Sequence, residues 1–141
     1  MRRKKYKPKP VNALAAFNAL NRHKPMTTEQ TTDLGIAYWT ALDIHLRDPS
    51  VAQWGILASC VNTAIQLANR GYGAEFHDTL NRASYALNRC KDRAAQGKSY
   101  ALDADGIAAI REALQVHDAQ CSSAKVIEVR DALRDVYRVA A

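Results

Sequence analysis

His117 and Cys121 stand four residues apart, which puts an imidazole and a thiol on one face of a helix. That spacing is able to bind a metal ion, but a site needs two or three further ligands. His45, Cys60 and Cys90 lie on other helical segments and would have to converge on the pair. A packing role accounts for the same residues more simply. Cys90 and Cys121 fall where the helical period asks for a small apolar side chain, Cys60 adjoins such a stripe, and cysteine is commonly buried for packing alone. The expectation is three free thiols, no metal and no cofactor. His77-Asp78 and His117-Asp118 each set an acid next to an imidazole. Neighbouring residues on a helix point about 100° apart, so neither pair forms an orienting hydrogen bond easily. No nucleophile elbow, phosphate-binding Walker loop or His-Glu-x-x-His zinc motif occurs. Gly71-Tyr72-Gly73 reads as a turn between helices, and Asp103 and Asp105 read as acids at a helix start, where the dipole favours them. The chain is therefore not expected to be an enzyme.

The other chemistry on offer is positive charge. Arg2, Arg3, Lys4, Lys5, Lys7 and Lys9 are six cations without an acid among them. The chain has 20 Lys and Arg against 14 Asp and Glu, a net charge of +6. Removing the six leaves 14 against 14, so the body is neutral and the start of the chain carries the whole excess. A neutral body with a cationic arm suits an anionic partner: nucleic acid, an acidic surface of a protein complex, or a lipid headgroup. Tyr6 lies inside the arm, and an aromatic among cations suits stacking on an unpaired base or anchoring in a partner's pocket. Arg82, Arg89 and Arg93 share one helical face and are the candidates for extending the arm's contact, with only Asp78 and Asp92 near them in sequence. Arg70 and Lys98 flank the same helix. Arg130, Arg134 and Arg138 form a second ridge, which Asp131 and Asp135 neutralise from three residues before Arg134 and Arg138.

The elements that must hold these groups are helices. Pro8 and Pro10 keep residues 1–10 extended. Val11, Leu14, Ala15, Phe17 and Leu20 make a short amphipathic stretch that Pro25 closes. Thr27-Thr-Glu-Gln30 is a capping box opening a helix to about Arg47, with Leu34, Tyr38, Ala41 and His45 on one face. Asp48-Pro49 predicts the start of the next helix, aspartate as cap and proline in the first turn. Its stripe is Trp54, Leu57, Ala58, Val61, Ile65 and Ala68, and Gly71 ends it. Trp39 and Trp54, on consecutive helices, are expected to pack in the core across that pair. Phe76, Leu80, Ala83, Leu87, Cys90 and Ala94 step by four and three along a third seam, which Gly97 ends. Asp103 caps a fourth helix with Ile107, Ile110, Leu114, His117 and Cys121 inward, and Ser122-Ser123 breaks it. Val126, Val129, Leu133, Val136 and Ala140 line the last.

The fold expected is all-α, an up-and-down bundle of four or five antiparallel helices with a basic extended N-terminal arm. Residues 1–10 form the arm and 11–141 a single domain. At 141 residues one core suffices without staples. No apolar run approaches the ~20 residues of a membrane span. The basic start followed by an apolar stretch has the outline of a signal peptide, but Asn12 and Asn18 break the stretch and no clean cleavage site follows. A cytoplasmic location and no membrane partner are expected.

The start Met1-Arg-Arg-Lys-Lys-Tyr-Lys-Pro-Lys-Pro-Val11, the run Arg70-Gly-Tyr-Gly-Ala-Glu-Phe76 and the segment from Leu102 to His117-Asp-Ala-Gln120 resemble small, uncharacterised helical proteins of bacteriophages and prophages of Gram-negative bacteria. The resemblance implies a mobile-element accessory protein with no catalytic residues to carry over. Two functions are expected from arm and resemblance together. One is nucleic-acid binding through the arm. The alternative is a protein-binding inhibitor or adaptor of a host complex, for example an anti-defence or anti-CRISPR protein. A homodimer is open in either case.

Overall fold

Three of the described helices open on a side-chain cap. The computed structural model describes residues 24–140, so the arm and the Val11–Leu20 stretch lie outside the described residues. Helix α1 spans Thr28–Arg47 and opens with the expected capping box: Gln30 N–H donates to Thr27 Oγ1 at 3.1 Å and Thr27 N–H to Gln30 Oε1 at 2.9 Å. Helix α2 spans Val51–Asn69, and its cap is Ser50 rather than Asp48. Pro49 disfavours the helical region for the residue before it, so Asp48 is left extended and closes α1 by donating to the Ile44 carbonyl. Ser50 then accepts from Gln53 N–H at 3.2 Å.

Helix α2 ends in a Schellman motif. Gly71 takes a left-handed φ of +96°, Gly71 N–H reaches the Ala68 carbonyl and Tyr72 N–H the Leu67 carbonyl. A single 3-10 turn, Ala74–Phe76, leads into α3, His77–Ala95. Phe76 was expected in the α3 seam. It precedes the helix and is 41% exposed, because the turn swings it out of register with Leu80, Ala83, Leu87 and Cys90, which are buried. Helix α4, Ala104–Ser123, is capped by Asp103, which accepts from Gly106 N–H at 2.7 Å. Helix α5 spans Val126–Ala140. Among the described residues there is no strand, only an isolated bridge between Pro25 and Lys125.

The helices form an all-α bundle in which α2 is the hub. It packs against α1, α3, α4 and α5, while α1 and α3 also pack on α4. The reason lies in its sequence: the 19 residues of α2 include no charged side chain. It alone can be surrounded without stranding a charge. Leu57, Cys60, Val61, Thr63, Ala64, Leu67 and Ala68 are all buried, a wider face than the single stripe expected. Small residues set the closeness of α3 and α4. A Cβ at Gly106 would come within 2.8 Å of the Asp103 carboxylate and 3.3 Å of Ala86 Cβ. A second small core, Leu67, Ala124, Val129 and Ala132, lies where α5 meets α2.

Trp39 and Trp54 pack against the main core, as expected, but no ring pair joins them to each other. Each reaches past its neighbour to a different helix. Trp39 Nε1–H donates to Asp118 Oδ2 on α4 at 2.9 Å, and Trp54 Nε1–H to the Leu87 carbonyl on α3 at 3.0 Å. Their indole N–H groups need acceptors when half-buried, and those acceptors lie across the bundle. No helix among the described residues is long and apolar enough to cross a membrane.

Leu57 is wholly buried at the hub. Leu57→Ala is expected to lower unfolding stability by about 2–5 kcal/mol, while Ile36→Ala, at a side chain 60% exposed, stays near neutral. Urea titrations followed by circular dichroism measure both.

Candidate nucleic-acid interface

Arg2, Arg3, Lys4, Lys5, Tyr6, Lys7 and Lys9 lie outside the described residues. Arg82, Arg89 and Arg93 lie on the side of α3 that faces α4, and their neighbours are not the ones sequence distance suggested. Arg89 grips Asp103 with two bonds, Nε to Oδ2 and Nη2 to Oδ1, each 3.3 Å. Arg93 Nη1 lies 3.5 Å from the same carboxylate, and its Nη2 donates to the Ala101 carbonyl. Arg82 Nη2 lies 3.9 Å from Glu112 Oε2. Asp78 and Asp92, counted as the nearby acids, make none of these pairs. The acids come from α4 and its cap, which tertiary packing brings alongside.

Between the two helices runs a cleft of about 530 Å³. Arg82, Tyr85 and Arg89 form one wall, Asp103, Asp105 and Glu112 the other, and Ala108 and Ala109 the floor. The Arg89 guanidinium, together with the Gly106 N–H bond, holds the Asp103 carboxyl below the usual carboxylate range. Two cations opposite three carboxylates leave the cleft with no positive excess. A phosphate entering it must displace an existing pair, so these arginines favour an anion less than isolated ones would.

The second ridge is rearranged too. Arg134 pairs with Asp131 at 2.6 Å as expected. Asp135 was expected to neutralise Arg138 and instead takes Arg70 at 2.5 Å. Arg70, expected beside α3, also reaches Glu128 at 3.2 Å, so it clamps the end of α2 to α5. The α2 hub turns Arg70 toward the helix packed on it.

The histidine and cysteine groups are internal. His45 is fully buried: its Nδ1 accepts from Ser50 N–H at 3.4 Å, which leaves Nε2–H to donate to the Tyr100 carbonyl at 2.8 Å. It ties the α1–α2 corner to the α3–α4 connector. Cys90 faces that connector, near the Ala101 carbonyl. His117 Nε2 lies 3.5 Å from Cys121 Sγ, with Tyr38 edge-on to the imidazole at 5.2 Å. All three cysteines are free. Among the described residues no three His, Cys, Asp or Glu side chains converge closely enough to hold a metal. Burial pushes the Cys121 thiol up to about 12.

Gln120 was given no role from the sequence. It is 3% exposed, and its Nε2 donates to the Ala64 and Tyr72 carbonyls, both at 2.9 Å. That pair of bonds pins α4 to α2 and to the turn that follows α2. Only the fold shows which carbonyls it meets.

Burial lowers the His117 imidazole to about 4, the nearby Asp118 carboxylate opposing the shift only in part. The unfolded chain, near 6.5, therefore binds the proton first. Stability is expected to fall as pH drops from about 6.5 to 4, by up to about 3 kcal/mol, and to level off below. Urea midpoints across pH 4–7.5 check this, and His117→Gln should flatten that part of the curve.

No family model matches the chain, and no curated protein or solved structure is significantly similar to it.

Proposed function

We propose that the protein binds nucleic acid through its N-terminal cationic arm and performs no reaction of its own. One observation carries the reading: the excess charge sits in the arm, while the body is formally neutral and part of its positive charge is paired with its own acids. Arg47, Arg70, Arg82, Arg89, Arg93 and Arg134 each face a carboxylate. The arm's six cations have no acid among them. Phosphates offer a dense line of charge that rewards such a segment by releasing condensed counterions. Base edges play no necessary part, so the binding would be sequence-tolerant, with Tyr6 stacking where a base is unpaired. Arg82, Arg89 and Arg93 join only by giving up their pairs with Asp103 and Glu112. An accessory role on a phage or prophage agrees with this reading and rests on the three resembling segments alone.

A second reading, a protein-binding inhibitor or adaptor, is favoured by α1. Ile36 is 60% exposed and Ile44 41%, and they lie along the i, i+4 ridge through Thr40. Val51 at the following corner is 60% exposed. Exposed branched aliphatics close together suit a protein surface better than a phosphate backbone.

For the first reading, log affinity against log salt on duplex DNA is expected to approach a slope of about −5 if all six cations contact phosphates. Deleting residues 2–9 should abolish binding while the far-ultraviolet spectrum and melting temperature stay unchanged. A flat slope, or binding that survives the deletion, removes the reading. For the second, a partner retained after nuclease treatment should be released by Ile36→Glu with Ile44→Glu. Retention by the doubly substituted protein counts against α1 as the contact.

A further inference from the structure

Met26, Leu34, Val126, Val129 and Leu133 line an apolar groove of about 330 Å³ between the first two turns of α1 and those of α5, with Asp33 and Arg130 at its margins. Of the five, Val129 is buried and the others are half-buried. The two walls begin together: Val126 N–H donates to the Lys24 carbonyl at 3.0 Å and Met26 N–H to the Ala124 carbonyl at 3.5 Å. Past that bridge they lean on other helices. Helix α1 packs on α2 and α4, and α5 on α2, with no comparable contact between α1 and α5 themselves. Among the described residues the second core is therefore closed on the side of α2 and open along the groove.

The charges at the margins are opposite in sign and stand on opposite walls. Asp33 lies in the second turn of α1 and Arg130 in the second turn of α5, and both are exposed. Arg70 and Arg134 already hold acids of α5. Among the described residues neither Asp33 nor Arg130 has a partner of opposite charge. A half-turn about an axis lying along the groove sets α1 of one protomer on α5 of its partner, with residues of equal depth level. Asp33 then comes opposite the partner's Arg130 at two equivalent places, and the apolar strip meets itself between them. An axis across the groove would instead set α1 on α1 and α5 on α5, like charge on like charge. One surface thus holds both halves of a self-complementary contact, an apolar centre with an acid and a base at matched depth on its rim. Two turns beyond Arg130 on the same side of α5, Tyr137 is 63% exposed, and tyrosine is a side chain that interfaces favour.

We propose that the α1–α5 groove is the contact between two copies of this chain, a two-fold dimer held by the apolar strip and oriented by two Asp33–Arg130 pairs. Burial of the half-exposed aliphatics supplies the attraction. The charges select the partner and fix which wall meets which, because exposed ion pairs add more to specificity than to affinity. A foreign protein would need the complementary pattern made separately, whereas a second copy carries it. The contact lies on the bundle, so it stands or falls independently of what residues 2–9 bind.

Sedimentation velocity on the full chain without nucleic acid, from about 1 to about 300 µM, tests it. The dimer is expected to predominate at the top of that range. Asp33→Arg and, separately, Arg130→Asp should each weaken it about tenfold or more, since each sets like charges opposite one another at both places. An equimolar mixture of the two single variants should dimerise again, to within about threefold of the unaltered protein, because every contact then keeps one charge of each sign. The mixture also answers for folding: chains that had lost their structure would not regain a partner on mixing. A chain that stays monomeric throughout overturns the proposal, since whatever covers the groove is then not a second copy. A dimer that neither reversal weakens overturns it too, because that dimer uses another face. So does a mixture that stays monomeric while the unaltered chain dimerises, because Asp33 and Arg130 then do not meet across the contact.

Discussion

A 19-residue helix without a single charged side chain sets the terms for everything around it. Helix α2 has no charged face to keep wet, so burying it on many sides costs no charge desolvation. The four other helices cover it, and each inherits its orientation from that requirement. Polar groups that meet α2 must be satisfied within the packing. The Gln120 amide nitrogen does this by donating to the Ala64 carbonyl, although its Oε1 is buried without a partner, and Thr63 by donating back to the Ser59 carbonyl in its own helix. Arg70, the first cation after α2, stands at the edge of the buried zone and pairs with two acids of α5.

The consequence for function is a division of charge. Helices wrapped around an uncharged hub place their own charges on the outer surface, where basic and acidic residues of neighbouring helices meet across the seams. The α3 arginines thus face the Asp103 and Glu112 carboxylates, and their ability to hold an outside anion is reduced by partners already in place. Individual surface pairs contribute little stability. Their importance is that they leave the body electrostatically quiet, so that a short cationic segment dominates the long-range attraction.

Much of the fold was legible because it follows from local chemistry. The Thr27 capping box, the Asp103 cap and the left-handed glycines at 71 and 97 each act over a few residues, and the structure has them where sequence placed them. The stepping of Leu80, Ala83, Leu87 and Cys90 is a single-helix property and was equally readable. Where the reading missed, two local signals competed or a partner was distant. At Asp48-Pro49 the restriction that proline imposes on the residue before it outweighed the capping tendency of aspartate, and Ser50 took the cap. Phe76 fitted the seam's arithmetic but fell in a 3-10 turn. For the arginines, sequence distance ranked Asp78 and Asp92 as neighbours when the carboxylates in reach belonged to another helix.

The sequence by itself determined the all-α class, the caps at Thr27 and Asp103, the neutrality of the body and the concentration of excess charge in residues 2–9, because capping, periodicity and composition are properties of short stretches. Tertiary structure alone decided which helix lies at the centre, which acids quench which arginines, and that His117 and Cys121 lie in packed core with no third ligand beside them among the described residues. Those outcomes depend on which surfaces meet after collapse, and residues such as Arg89 and Asp103, or Trp39 and Asp118, are brought together only by the burial of α2. The same burial leaves a groove between α1 and α5 where the two helices begin, a feature that no reading of spacing along the chain reveals.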